Sequence, residues 1–259
     1  MTKLWLAATA LTTALMTSGC VIVVADEGDG AKMMRQHRSA DGYIVLDRDG
    51  DYSRLSGDLN LRGRLGGDLS LVSGDVDADG LEVGGEVSIA AGDVNFTGKV
   101  DGEVSIAGGD VNWNGEAGDE LSIAAGNLVV HGHVTGPASL ASGDMEVDAT
   151  FRDGLSAHAG TMTINGEVHG PLELVAINEM RRNRDYEDEG DIEIGARIHD
   201  GGQVCGIRVT IASTARIDGR FEVFAEHEPV VESGARVEGL VFTPRDRRDC
   251  EDLIESRDR

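Results

Sequence analysis

Apolar and polar residues alternate with period two through the middle of the chain, in runs long enough only for brief strands. The stretch "GGEVSIAAGDVNFTGKVDGEVSIAGGDVNWNG", Gly84 to Gly115, states one such pattern twice, 17 residues apart. The repeat extends in both directions. Units begin at Asp49, Gly66, Gly84, Asp101, Gly118, Thr135 and Arg152, and the seventh ends at Val168; each has 17 residues except the second, which has 18. An eighth opens with "HGPLELVA" at His169.

Aligned in columns, the fifth place of every unit is Ser, from Ser53 to Ser156, and the ninth is Gly, from Gly57 to Gly160. The eleventh is always apolar: Leu59, Val76, Val94, Val111, Leu128, Met145 and Met162. The fourth, sixth, thirteenth and seventeenth places are mostly apolar, with Arg54 an exception. Recurrent Gly and β-branched residues disfavour helix. The pattern predicts an all-β fold, a single parallel β-solenoid with three short strands and three corners per coil. Equivalent places then stack about 4.8 Å apart, because no coil of this size can bury its apolar face alone. The ninth-place Gly column is expected to form a corner at positive φ.

The pattern divides the chain into segments. Residues 41–176 form the regular solenoid, and 177–190, with "NEMRRNRDYEDEG", form a charged loop. Longer, irregular coils occupy 191–244, where the triplets Ala-Arg-Ile/Val start at Ala196, Ala215 and Ala235. Residues 245–259 are a charged tail or cap. Residues 1–19 read as a signal peptide and 20–40 as a tether without periodicity.

The signal reading rests on Lys3, the apolar run Leu4 to Met16, and Thr-Ser-Gly-Cys ending at Cys20. The last four residues resemble a bacterial lipobox, although Thr17 stands where Leu is usual, and the resemblance implies lipidation at Cys20. Cleavage after Val23-Val24-Ala25 and an uncleaved anchor are the alternatives. Val21, rather than Asp, after the cysteine points to an outer-membrane lipoprotein of the cell envelope, facing the periplasm or the surface. All three readings export the chain to an oxidising compartment, where Cys205 and Cys250 are expected to form a disulfide; two buried free thiols are the alternative.

Composition narrows the function. Aromatics are 4% and Gly counts 36, which suits thin layers rather than one wide core. A net charge of −24 excludes nucleic acid as a partner and opposes direct docking on anionic lipid heads. No nucleophile–base pair or phosphate loop occurs, the acidic residues run in columns, and the Ser column has no local base. Neither enzymatic activity nor a cofactor is expected.

"GEVSIAAGDVNFTGKVDGEVSIAGGDVN" and the later "SGARVEGLVF" are similar in texture to bactofilins and related polymer-forming bacterial proteins, over about Asp49 to Phe242. The resemblance implies a right-handed, three-sided β-helix that stacks end to end as a membrane-linked scaffold without nucleotide. The chain departs from that family in being exported and longer.

Two constellations have metal-ligand spacing. "DVDADGLEVGGE" fits the calcium-loop pattern through Asp75, Asp77, Asp79 and Glu86, with Gly80 at the bend, but lacks flanking helices. His131 and His133 lie two apart, and stacking places Asp148 and Glu116 next to them. Neither is favoured over plain corner residues. The expected function is a structural scaffold or polymer-forming element held to the membrane by lipid, with self-association or an envelope protein or polysaccharide as partner. The alternative is a surface adhesin or a glycan- or protein-binding module. The tail from Arg245, pinned by the disulfide, is expected to cap the last coil and keep the mature protein monomeric or a small oligomer.

Overall fold

A computed structural model describes residues 42–176, 190–245 and 250. These residues form one parallel β-solenoid of about 11 turns, spaced about 17 residues apart. Strand β1 is Ile44–Arg48. Five regular coils follow, each with a short strand and a longer one. They are β2 (Tyr52–Leu55) and β3 (Leu59–Leu65), β4 (Leu69–Val72) and β5 (Val76–Val83), β6 (Val87–Ala90) and β7 (Asp93–Val100), β8 (Val104–Ala107) and β9 (Asp110–Ala117), and β10 (Leu121–Ala124) and β11 (Asn127–Val134). The next two coils are continuous strands, β12 (Ala138–Phe151) and β13 (Leu155–Val168). After β14 (Leu172–Ala176) the coils hold three separate strands. These are β15 (Asp191–Ile194), β16 (Arg197–Ile198) and β17 (Gly202–Cys205), then β18 (Arg208–Ile211), β19 (Arg216–Ile217) and β20 (Phe221–Ala225), and last β21 (Val230–Val231), β22 (Arg236–Val237) and β23 (Leu240–Pro244).

Every strand pairs in parallel with its equivalents one coil below and above, except at the two ends. The register is the repeat itself: Ser105 pairs with Ser88 and Ser122, and Val111 with Val94 and Leu128. Period-two alternation turns the eleventh and thirteenth places inward. Leu59, Val76, Val94 and Val111 form one column of the core, and Leu61, Ala78, Phe96 and Trp113 another, all at most 2% exposed. Phe96 and Trp113 occupy successive coils of the second column and stack with centroids 4.5 Å apart.

The expected second and third strands of each regular coil are one strand, bent at the fifteenth place. There Gly63, Gly80, Gly98, Gly132 and Gly166 adopt φ between 63° and 154°. The ninth-place column differs from expectation: only Gly57 in it has positive φ. The other glycines serve close approach. Gly126 donates its N–H to Gly109 O at 2.7 Å, and a Cβ on Gly126 would stand 2.9 Å from that oxygen. The corner therefore stacks as a hydrogen-bonded column of glycines.

Beside it the acidic tenth place closes the same corner. Asp58 accepts from the Asp75 N–H at 3.3 Å, and Asp75 from the Asp93 N–H at 3.1 Å. At the corner before each short strand, the third-place Asp51 accepts from the Asp68 N–H at 3.0 Å and Asp68 from the Glu86 N–H at 2.9 Å. Part of the acidity thus satisfies backbone donors that the turns leave unpaired. The additional residue of the second unit is absorbed as a bulge in β5 between Ala78 and Leu81, after which Val83 regains the column of Leu65 and Val100.

Cys205 and Cys250 are disulfide-bonded, with Cα atoms 5.7 Å apart. Cys205 points outward from β17, between Val175 of β14 and Phe224 of β20. Cys250 completes this second buried cluster. The bond closes 45 residues, for which chain entropy gives about 4 kcal/mol of stabilisation. It holds Cys250 against the flank of the coils. Val231 and Leu240 in the last coil are 45% and 36% exposed. The rest of the expected cap, 246–249 and 251–259, lies outside the described residues.

Candidate metal centre

The side chains that come together with metal-ligand chemistry are Glu167, His169 and His199. One ligand atom from each lies within 4.8 Å of the others, and no other such group of three occurs among the described residues. Glu167 is the penultimate residue of β13, and His169 follows two places later, on the same outward side. His199 comes from the next coil. Pairing of Glu167 with Arg197 and of Val168 with Ile198 carries His199 directly onto His169.

The backbone holds this arrangement. His169 N–H donates to Phe151 O at 2.8 Å and His199 N–H to Val168 O at 3.1 Å. Asp200 Oδ2 accepts from the Gly170 N–H at 2.9 Å, tying the following corner to its neighbour. The two imidazoles stack with centroids 4.1 Å apart and planes 9° from parallel. Both Nε2 atoms approach one carboxylate oxygen: Glu167 Oε1 is 2.6 Å from His199 and 3.5 Å from His169. All three side chains are half-buried.

The hydrogen bond from His199 holds the Glu167 carboxyl below its ordinary range; a smaller desolvation effect opposes it and the Arg197 guanidinium assists. A carboxylate kept ionised beside two imidazoles is a compact mixed oxygen–nitrogen donor set. It can hold a shared proton or a cation.

The constellations read from the sequence behave otherwise. Asp77 and Asp79 lie in β5, which is extended, whereas a calcium loop must wrap round its ion. Their neighbours have other work: Asp75 accepts from Asp93, Asp77 from the Tyr43 hydroxyl at 2.9 Å, and the Glu86 N–H donates to Asp68. Gly80 marks the bulge instead of a calcium bend. His131 and His133 lie in β11, beside Asp148 and Glu116 as stacking required, but among the described residues no third ligand atom completes either pair. Cys20 and the signal and tether segments lie outside the described residues.

The centre at Glu167 is hidden in the sequence because the insertion sets the two histidines 30 positions apart, against 17 for equivalent places in most regular coils. The available signal was the shared ending of "GEVH" and "ARIH", which aligns Val168 with Ile198 and His169 with His199.

A second feature is a shallow groove of about 530 Å³ on the flank, lined by Val129, Glu146, Thr163, Glu193 and Arg208 among others. Arg208 there forms a bidentate pair with Asp191, at 2.9 and 2.6 Å. Comparison with protein-family models, curated proteins and solved structures finds no match for the chain.

Proposed function

We propose that the protein is a non-enzymatic scaffold of the bacterial cell envelope, a rigid solenoid tethered to the outer membrane by lipid on Cys20 and joined to other copies through its end. The observation that carries this reading is the contrast between flank and end. The flanks present polar columns, Ser and Asp above all, with Val45, Leu55 and Val72 exposed on the outward side of the first coils, whereas in the last coil the residues that continue the core columns of Ile211 and Phe221, Val231 and Leu240, are themselves exposed. Among the described residues, β21, β22 and β23 each pair on one side only. Open strand edges carrying apolar residues are the natural meeting surface of parallel coils.

Negative-stain electron microscopy of the purified protein tests this. Rods joined end to end support the scaffold, and single rods at every concentration refute it. Loss of fatty-acid labelling in Cys20→Ser checks the tether separately. The second reading, a glycan- or protein-binding module, draws on the flank groove, and saturable retention of an envelope polysaccharide by single rods would favour it.

A further inference from the structure

We propose that Glu167, His169 and His199 form a binding site for a divalent first-row transition ion of the zinc type, which cross-braces two successive coils whose sequences are separated by the insertion at 177–189. Donor chemistry sets the class of ion. Two imidazole nitrogens and one carboxylate oxygen suit zinc and its neighbours, while calcium and magnesium take oxygen ligands. Three protein ligands with a remaining position for water is a common zinc arrangement.

The geometry is close to what the ion needs. Zinc bonds of about 2.0–2.1 Å in a tetrahedral arrangement separate ligand atoms by roughly 3.3 Å. Glu167 Oε1 and His169 Nε2 already stand 3.5 Å apart. The 2.6 Å contact to His199 is a hydrogen bond, which the ion would replace by taking the place of the shared proton. That separation has to open by about 0.7 Å for tetrahedral zinc. The side chains of Glu167, His169 and His199 are 39%, 35% and 27% exposed, so torsions about their own bonds can supply the movement and tilt the stacked rings. The main chain need not move, because the backbone bonds of His169 and His199 to the coil below fix both Cα positions.

The location has a structural rationale. Between β14 and β15 the 17-residue spacing is lost, and the pairing of β13 with β15 and β16 has to resume across a long excursion. A ligand bond from His199 to the pair on the preceding coil would lock that register. Arg197, next to Glu167 in the ladder, opposes a cation, so affinity is set against its charge.

The test uses the full-length protein without a histidine tag, titrated calorimetrically with zinc chloride in excess calcium to occupy the acidic columns. One equivalent should bind, with His169→Ala and His199→Ala each weakening it by at least about tenfold, the scale on which even outer partners of metal ligands act. The more conservative Glu167→Gln should weaken binding in the same direction, and His131→Ala should not. At one zinc concentration the melting temperature of the parent should rise more than that of His199→Ala, while circular dichroism shows both folded. Absence of saturable binding to the parent, or binding indifferent to all three substitutions, overturns the proposal.

Discussion

Glycines separate into two kinds at the level of single residues, and the sequence shows them alike. Gly132 has φ of +114°, and a Cβ there would stand 2.0 Å from Gly115 O. Gly50 would meet only the Arg48 guanidinium, at 3.7 Å. Gly132→Ala should therefore cost about 1–3 kcal/mol or more, from strain and clash together, and Gly50→Ala under about 0.5 kcal/mol, as urea melts of the two would show. Glutamates divide from aspartates in a similar way. Asp68 is short enough to accept from the next coil, whereas Glu103, in the same column, is held above its ordinary pKa by burial first and then by Glu120, Glu86 and Asp119. A carboxyl whose folded pKa is raised opposes folding when ionised. Its cost is complete above the folded pKa and disappears as pH falls to the unfolded value. Glu103→Gln should accordingly stabilise the protein at neutral pH by under about 1 kcal/mol, a gain that fades below about pH 4. Equal gains at both pH values would contradict the charge argument.

At the level of elements, inward and outward places alternate within four residues. Ile106 in β8 is 2% exposed, and Ser105 beside it faces water in the Ser column. Ile106→Asp should cost roughly 3 kcal/mol or more by burying a charge, and Ser105→Asp under about 1 kcal/mol, so thermal melts should place the two far apart in this order. This alternation, the coil length and the pairing of equivalent places were legible because stacking forces like onto like: each column of the repeat is a ladder of the sheet. The disulfide was legible from the even pair of cysteines together with the oxidising compartment expected for the chain. The bend at the fifteenth place was not, since Gly punctuates the ninth and fifteenth places equally and only backbone geometry tells a left-handed residue from a close approach. The Glu167 centre was not legible either, because its second histidine arrives after an insertion that hides the alignment.

At the scale of the whole solenoid, the two ends differ. Ile44, Leu46 and Tyr52 in the first coil are 2%, 4% and 7% exposed, whereas Val231 and Leu240 in the last are 45% and 36%. Burial of these inward residues at the first coil removes the apolar surface that stacking would use, since Val45 and Leu55 there, 37% and 59% exposed, point outward along the flank, and exposure of the inward residues at the last coil supplies it. The disulfide itself sits on the flank, where Cys250 packs with Val175, Cys205 and Phe224. A surface offered at one end alone meets its own kind through a two-fold axis, which closes at two copies and cannot propagate. The protein should therefore sediment as a concentration-dependent dimer joined at the C-terminal coils. Leu240→Arg would place like charges opposite each other across that axis and should leave monomers, while Ser105→Asp on the flank should not affect dimerisation. Charge on the whole molecule works against the contact, since each copy carries −24, so higher salt should strengthen it through screening. Long filaments in the sedimentation profile would mean that the first coil also has an open stacking surface. Monomers of the parent at every concentration and salt would mean that the exposed residues of the last coil meet something other than a second copy.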